Sequence, residues 1–268
     1  MKKFMKITTL FICACLVLTA FAGCSGTGTP AENSASPSPS SEAQDENAIV
    51  MGTNAEFFPF EYVGDNGIVE NFTGIDVAIA NEIAKELGKE LKVENMEFDS
   101  LPIALKTDKI DFAAAGMTIT EDRKQNVDFS DTYYSAKQVI IVKEDSDIAS
   151  AADLTGKNIG VVMGYTGDIL VSETLGLTPQ RFKKGTDAVM DLVNGRLDAV
   201  VIDLAPANAY VEKNPGLKTI EDPTFETEEY AIAVKKGNTE LLETINTVLQ
   251  RLKDDGSIER FAEEYSKQ

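Results

Sequence analysis

The stretch DVAIANEIAKEL, residues 76–87, determines the fold class. Its apolar residues recur every three or four positions, the period of an amphipathic helix: Val77, Ala80, Ile83, Ala84 and Leu87. Gly88 follows at a position suited to end such a helix. Short runs with β-strand composition flank the helix at residues 49–53 and 91–98. These three segments together predict a strand–helix–strand unit.

The same alternation continues to the C-terminus. Further helices are predicted at residues 101–105, 166–175, 187–193, 205–213, 239–252 and Ser257–Tyr265, and further strands at 111–115, 139–142, 158–162, 199–202 and 230–234. This order predicts an α/β protein with mostly parallel sheets flanked by helices. No linker rich in Pro or Gly divides this part of the chain, so composition alone gives no domain boundary.

The N-terminus has the layout of a secretory signal peptide. Three lysines precede an apolar run at residues 7–21, and the small residues Ala22 and Gly23 follow. Cys24 comes next, and the segment resembles the bacterial lipobox, although Phe21 stands where Leu is commonest. We expect residues 1–23 to be removed and Cys24 to be lipidated; an ordinary signal peptide with a free Cys24 is the alternative.

Residues 25–47 hold no Leu, Ile, Val or aromatic side chain. Such a segment cannot bury enough apolar surface to offset the entropy of ordering it, so residues 24–47 are predicted to be a lipidated cysteine with a disordered tether. Cys13 and Cys15 would leave with the signal peptide. The mature chain would then keep a single cysteine and could form no internal disulfide.

Composition excludes several function classes. The 268 residues include 25 Lys+Arg against 44 Asp+Glu, a net charge of -19, which argues against a nucleic-acid partner. The absence of histidine excludes Ser-His-Asp triads and histidine-based zinc sites, and three cysteines cannot make a four-cysteine site. We therefore expect no metal, no cofactor and no catalytic residue.

Ligands of open α/β sheets bind beyond the carboxyl ends of the strands. After residues 49–53 comes an aromatic loop, 54–60, which could form an apolar wall or simply fill the core. After residues 111–115, Gly116 permits close backbone approach, Thr120 is suited to cap a helix, and Arg123 could bind a carboxylate. Arg123 could equally be a surface residue in an ion pair.

Two more strand ends carry polar groups. The turn GYTG, residues 164–167, presents free amides at a helix N-terminus, although such turns are common and this one lacks the phosphate-loop pattern. Asp203 follows the strand at 199–202 and could hold a cation or cap the next helix. One arginine, helix-terminal amides, one aspartate and aromatic walls complement a zwitterion. They contain no evident nucleophile–base pair.

Several long motifs, in order, resemble the extracytoplasmic solute-binding proteins of polar amino-acid ABC importers. They cover nearly all of residues 48–268: GTNAEFFPFEY (52–62), FTGIDVAIANEIAKELG (72–88), DFAAAGMTITEDRKQNVDFSDTYY (111–134), NGRLDAVVID (194–203), EEYAIAVKKGNTELLETIN (228–246) and LKDDGSIERFAEEY (252–265). The resemblance implies a two-lobed clamshell of the periplasmic binding protein type II. One lobe would comprise residues 48–136 and 230–268, and the other residues 137–229, with two crossover strands as the hinge.

The resemblance also implies a role for each matched residue. Arg123 would bind the ligand's α-carboxylate with help from Thr118 on one lobe and Thr166 on the other. Asp203 would accept the α-ammonium, which the backbone carbonyl of Gly116 would also face.

The remaining positions would surround the ligand's side chain. Phe57 and Phe98 would sandwich it, Asn54 and Val162 would tune side-chain choice, and Ala115 completes the ligand-binding set. Some relatives with cationic ligands carry Asp where Asn54 stands, which favours neutral polar amino acids here and places cationic ones second. Relatives more often carry Thr at the position of Tyr165, so the reach of the side chain there is left open. Glu56 could supply an acid for a cationic ligand or could equally face solvent.

The resulting expectation is a lipid-anchored, monomeric receptor outside the cytoplasm that delivers a polar L-amino acid to a membrane permease. Two alternatives stay open: a cyclohexadienyl or arogenate dehydratase-like enzyme on the same fold, and a sensing domain for a separate receptor. Because Arg and Asp keep their charges near neutral pH, binding is expected to be nearly constant between about pH 6 and 8.

Overall fold

A computed structural model of the chain describes residues 46–267. The predicted signal peptide, Cys24 and nearly all of the tether lie outside these residues. Within the described part, no helix is long and apolar enough to cross a membrane.

The described chain alternates strands and helices as expected. The strands are β1 (Ala48–Thr53), β2 (Glu56–Phe57), β3 (Glu61–Val63), β4 (Phe72–Thr73), β5 (Glu90–Asn95), β6 (Phe112–Ala113), β7 (Val127–Lys143), β8 (Ile159–Val162), β9 (Gln180–Phe182), β10 (Ala199–Asp203), β11 (Leu217–Ile220) and β12 (Thr227–Lys235). The helices are α1 (Ile75–Leu87), α2 (Leu101–Lys106), α3 (Glu121–Lys124), α4 (Thr166–Ile169), α5 (Gly185–Val193), α6 (Leu204–Lys213), α7 (Thr239–Asp254) and α8 (Ser257–Tyr265). Short 3₁₀ turns lie at Phe98–Ser100 and Ala151–Leu154, and a π-helical turn at Leu170–Thr174 extends α4.

The main sheet is held together by one long strand. Its order is β5-β1-β6-β12-β7-β10-β8-β9, with β11 also paired to β7. The 17-residue β7 pairs with β12 from Val127 to Lys137, and then with β10 from Gln138 to Ile141. The two ends of β7 therefore belong to different groups of strands. A separate small sheet contains β2, β3 and β4.

Strand direction corrects one expectation. The outer strands are parallel, as predicted: β1 with β5 and β6, and β8 with β9 and β10. However, β7 is antiparallel to β12, β10 and β11, and β12 is antiparallel to β6. The sheet is therefore mixed, because the chain passes between the two groups of strands in opposite directions along β7 and β12.

The core lies between the sheet and the helices on its faces. Helix α1 buries Val77, Ile79 and Ile83 completely, and α7 buries Ile245 and Val248. Gly88 adopts a φ of 65° and ends α1 in the left-handed conformation predicted for it. A second apolar cluster surrounds β8, whose four residues are all buried, as expected of a strand covered on both faces.

Two predicted strands are shorter in the structure. The strand predicted at residues 91–98 ends at Asn95, and Phe98 begins a 3₁₀ turn instead. The strand predicted at 111–115 is reduced to Phe112–Ala113. In both cases the residues beyond the strand end leave the sheet and reach the cluster described next.

Candidate functional site

The ends of four strands meet in one cluster of polar and aromatic side chains. Asn54 follows β1, residues 114–118 follow β6, Gly164 and Thr166 follow β8, and Asp203 ends β10. Asn54, Thr118 and Asp203 are buried. The geometry therefore brings the residues predicted at strand ends into one cluster.

Arg123 connects the two groups of strands. Thr120 caps α3 by accepting a hydrogen bond from the Arg123 amide at 3.2 Å, as predicted, and this fixes the start of the arginine's helix. The guanidinium donates from Nη1 to the Thr118 carbonyl at 2.6 Å and from Nη2 to the Gly164 carbonyl at 2.9 Å. Burial lowers the pKa of Arg123 to about 10, so it stays cationic at neutral pH.

Two hydroxyl groups, of Thr166 and Thr118, and the carboxyl group of Glu228 extend the cluster beyond Arg123. The Thr166 hydroxyl donates to the Thr118 hydroxyl at 3.0 Å, and Thr118 donates in turn to Glu228 at 2.8 Å. Gln138 also donates to Glu228, at 3.3 Å. Glu228 lies on β12 and Gln138 on β7, so both strands that link the two groups contribute side chains here.

Asp203 is buried beside these groups. Its carboxylate accepts a hydrogen bond from the Tyr230 hydroxyl at 2.6 Å and makes no side-chain cap on α6, which excludes the capping role considered from sequence. Burial raises the pKa of Asp203 to about 7, and the nearby negative charge of Glu228 adds to the rise. Burial likewise raises the pKa of Glu228. The site therefore holds two carboxyl groups that compete for ionisation beside one arginine.

The aromatic residues form a slot, which we define by the rings of Phe57 and Phe98. Tyr165 stands edge-on to both, with ring centroids 5.3 Å from Phe57 and 4.7 Å from Phe98. The Tyr165 hydroxyl donates to Asn54 Oδ1 at 2.7 Å. The guanidinium carbon of Arg123 lies 5.0 Å from the centroid of the Phe98 ring, close enough for a cation–π contact.

The family model of bacterial extracellular solute-binding proteins, family 3, matches residues 49–268. The chain belongs to this family. A probable histidine-binding protein of Neisseria gonorrhoeae is 36% identical to the chain over 271 residues, which cover 99% of this chain and 96% of that protein.

Solved structures give the same assignment. A mutant of ArgBP from T. maritima is 47% identical, with a TM-score of 0.77 over 83% of this chain and 96% of that one. An ancestral arginine-binding protein bound to glutamine is 43% identical, with a TM-score of 0.76 over 83% and 99% of the two chains. The fold is thus the type II clamshell, and this solute-binding protein is a binding protein and not an enzyme.

All ten residues expected to contact ligand in this solute-binding protein lie in or beside the cluster. Ring contacts or hydrogen bonds join seven of them: Asn54, Phe57, Phe98, Thr118, Arg123, Thr166 and, through Tyr230, Asp203. Val162 reaches the cluster through its carbonyl, which accepts the Tyr165 amide at 3.1 Å. Ala115 is buried next to Gly116. Their roles in binding remain predictions.

Gly116 lies next to a buried pair of carboxyl groups, those of Asp76 and Glu61. With a φ of 52°, it leaves room for Phe57, whose ring would lie 2.5 Å from an added Cβ. Its amide donates to Asp76 at 2.8 Å, and so does the Tyr133 hydroxyl. Burial raises the pKa of Asp76 to about 6, and burial with the charge of Asp76 raises that of Glu61 well above its usual range. Burial and the charge of Asp76 therefore favour the protonated form of Glu61.

We expect Glu61→Gln to make the protein more stable than wild type as the pH rises. A carboxyl group with a raised pKa stabilises the fold below its unfolded pKa and loses that contribution as the pH rises through the folded value. The glutamine stays neutral, so the difference in unfolding free energy between the variant and wild type should grow from about pH 4.5 to about pH 7.5. Urea unfolding at the two pH values measures it, with exposed Glu243→Gln as the control. If the unfolding free energies of wild type and Glu61→Gln changed equally with pH, the raised pKa of Glu61 would be contradicted.

Sequence reasoning missed four polar members of the site: Gln138, Glu228, Tyr230 and Asp76. Gln138, Glu228 and Tyr230 lie within strands rather than at strand ends, so the strand-end rule could not find them. Asp76 was assigned only to a helix, although an acid in the first turn of α1 was a signal of its position. The described residues hold no group of His, Cys, Asp and Glu arranged to bind a metal.

Proposed function

We propose that this protein captures a polar L-amino acid between two lobes and delivers it to the permease of an ABC importer. One observation carries the proposal: a cationic Arg123 and a buried Asp203 lie in one cluster formed by the two groups of strands. An α-carboxylate complements the arginine fork, and an α-ammonium complements the aspartate. The names of the relatives, which are histidine- and arginine-binding proteins, support an amino-acid ligand.

The proposed lobes are residues 48–136 with 230–268, and residues 137–229. The register supports a hinge at the middle of β7 and the start of β12, where Lys137 is paired with Thr227 and Ser135 with Glu229. A ligand held by Arg123 on one lobe and Asp203 on the other has a higher affinity for the closed form. Such a difference in affinity is what drives closure.

For the ligand's side chain, we propose that neutral polar amino acids come first and cationic ones second. Asn54 is uncharged, and Glu56, which precedes Phe57 in sequence, is paired with Lys184 at 2.7 Å. The slot residues thus offer amide and hydroxyl groups rather than a free carboxylate. The cationic alternative is supported by the arginine- and histidine-binding relatives, and the ancestral protein bound to glutamine supports the neutral one.

A thermal-shift screen of the twenty amino acids plus cystine and ornithine tests this function. A saturating ligand raises the melting temperature because it binds only the folded state, and the shift grows with concentration above Kd. We expect glutamine to give the largest shift and arginine the next. Calorimetry on both then ranks their affinities. The same screen with Arg196→Ala, an exposed arginine paired with Asp191, controls for general charge effects. No shift with any amino acid would refute the proposed function.

We also propose that Cys24 carries a lipid that anchors the protein to the bacterial cell membrane outside the cytoplasm. The anchored protein would lie in the periplasm or at the outer face of the cytoplasmic membrane. The family description as extracellular agrees with export. Metabolic labelling with a fatty-acid analogue should label wild type and leave Cys24→Ser unlabelled. Equal labelling of both would show that Cys24 is not the acceptor, and label on neither would refute lipid anchoring.

A further inference from the structure

Asp76 is a completely buried carboxyl group in the first turn of helix α1, and none of the proposed ligand contacts uses it. Its Oδ2 atom accepts two hydrogen bonds at 2.8 Å each, one from the Gly116 amide and one from the Tyr133 hydroxyl. The Asp76 amide donates to the Phe60 carbonyl at 2.9 Å, so the main chain beside this carboxylate is also fixed. A helix, the loop after β6 and strand β7 therefore meet at one oxygen atom.

The main chain at Gly116 needs such an attachment. Glycine adopts a wider range of φ and ψ than other residues do, and Gly116 has a φ of 52°. On its C-terminal side the chain is fixed to β12, because the Met117 carbonyl accepts the Ala231 amide at 3.1 Å. On its N-terminal side the Gly116 amide is fixed by Asp76. The Gly116 carbonyl lies between these two attachments and is held in one orientation.

Tyr230 brings Gly116 close to Asp203. Its ring packs on Gly116, with Cε2 3.4 Å from the position of an added Cβ, and its hydroxyl donates to Asp203 at 2.6 Å. Tyr230 thus links the two groups that would share the ligand's ammonium, the Gly116 carbonyl and the Asp203 carboxylate. An ammonium carries three donors, so it can bind both acceptors at once.

We propose that Asp76 is a positioning residue for the ligand's α-ammonium, because its hydrogen bond to the Gly116 amide keeps the Gly116 carbonyl facing that group. This inference rests on the proposed function, since it takes an amino acid as the ligand and puts its ammonium between Gly116 and Asp203. Asp76 itself does not touch the ligand. It orders the carbonyl before binding, so that binding does not have to offset the entropy of ordering it.

Calorimetry on Asp76→Leu and Asp76→Asn tests the hydrogen bond on which this role depends. Leucine has nearly the shape of aspartate but no acceptor, so the Gly116 amide loses its partner and the carbonyl becomes mobile. Ordering the main chain of one residue on binding should then weaken the binding of L-glutamine and L-arginine by about five- to thirtyfold. Asparagine keeps an oxygen for Gly116 and Tyr133 and can donate to the neighbouring Glu61, so Asp76→Asn should bind within about threefold of wild type.

Ligands without an ammonium separate positioning from a general loss of structure. Glutaramate and δ-guanidinovalerate keep the carboxylate and side chain of glutamine and arginine but carry hydrogen in place of the amino group. Their Kd values, measured by competition with the parent amino acid, should hardly change between wild type and Asp76→Leu. The ratio of the analogue's Kd to that of the amino acid should therefore fall by about five- to thirtyfold in this variant.

Asp128 provides a matched control, since it also accepts a glycine amide, that of Gly237 at 2.7 Å, outside the cluster. Asp128→Leu should leave all of these Kd values unchanged. If Asp76→Leu weakened amino acid and analogue equally, or neither, the positioning role would be overturned and the proposed function would stand. A loss in Asp76→Asn as large as in Asp76→Leu would overturn it as well. If wild type binds none of the twenty amino acids, both proposals fail.

Tyr133→Phe keeps the test decisive if Asp76→Leu does not fold. It removes one of the two donors that hold Oδ2 of Asp76 and leaves the Gly116 hydrogen bond in place. The ratio of the analogue's Kd to that of the amino acid should then fall by about two- to threefold. An unchanged ratio in this folded variant would overturn the positioning role.

Discussion

Arg123→Ala is expected to weaken amino-acid binding by about 2–5 kcal/mol, or roughly thirtyfold to several thousandfold. In the closed form the ligand's carboxylate would be buried against Arg123, and the variant would leave that charge without a partner. The guanidinium also bridges the Thr118 and Gly164 carbonyls, so its loss removes a contact that joins the two halves of the site. Calorimetry with glutamine and arginine measures the effect.

Two further variants separate the reasons for this loss. Arg123→Lys keeps the charge but not the two-pronged donor geometry, so it should recover part of the affinity and remain weaker than wild type by about tenfold or more. Arg196→Ala removes an exposed arginine in a surface ion pair and should bind normally. Urea unfolding of each variant checks that the fold is intact. If Arg123→Ala bound amino acids as tightly as wild type, Arg123 would not be the residue that binds the ligand's carboxylate.

The site illustrates which features a single sequence can reveal. Helix α1 was predicted to within one residue of its start because its apolar period is set by the helix itself. Arg123, Thr166 and Asp203 were predicted to lie in one cluster because they follow strands, and parallel strand ends converge in this architecture. In each case the signal is local: a period, a capping residue, or a position just after an apolar run.

The strand and the cluster residues that sequence reasoning missed depend on how distant segments of the chain pack together. The first twelve residues of β7, 127–138, mix buried and exposed positions without strict alternation, so their pattern does not indicate a strand. Glu228 and Gln138 reach the site only because β12 and β7 lie side by side across the linking region. The position of Tyr165 between Phe57 and Phe98 likewise depends on how two distant segments meet. Sequence periodicity contains none of this information.

The two carboxyl groups of Asp203 and Glu228 change how ligand binding is expected to respond to pH. From sequence, permanent charges on Arg123 and Asp203 implied binding that is nearly constant between about pH 6 and 8. In the folded protein, burial and the Glu228 charge raise the pKa of Asp203 to about 7, with Tyr230 and Gln138 acting in the opposite direction. Arg123, the cation of the cluster, has a pKa of about 10 and does not titrate in this range. The earlier expectation is therefore corrected: a chain without histidine still titrates near neutral pH at its site.

Amino-acid affinity is consequently expected to fall as the pH drops below about 7. The ligand's ammonium needs an ionised Asp203, so the free protein must release a proton before it binds. Each pH unit well below the pKa then costs about 1.4 kcal/mol, or tenfold in Kd, and about pH 5 should bind roughly a hundredfold more weakly than about pH 8. Calorimetry at several pH values, repeated in two buffers of different ionisation enthalpy, measures both the affinity and the number of protons released.

Glu228→Gln identifies the source of this dependence. Burial, the larger cause of the raised pKa of Asp203, stays in this variant. The substitution removes only the second cause, the Glu228 charge, and keeps an oxygen that can accept the Thr118 hydroxyl. The pH at which binding weakens should therefore shift downward, so that the loss of affinity from about pH 8 to about pH 6 is smaller than in wild type. Glu226→Gln, on an exposed glutamate that precedes β12, is the matched control and should keep the wild-type profile. Binding that stays flat from about pH 6 to 8 with no proton exchange would mean that Asp203 is already ionised before the ligand arrives, since the carboxyl competition would then be too weak to hold a proton in the open site.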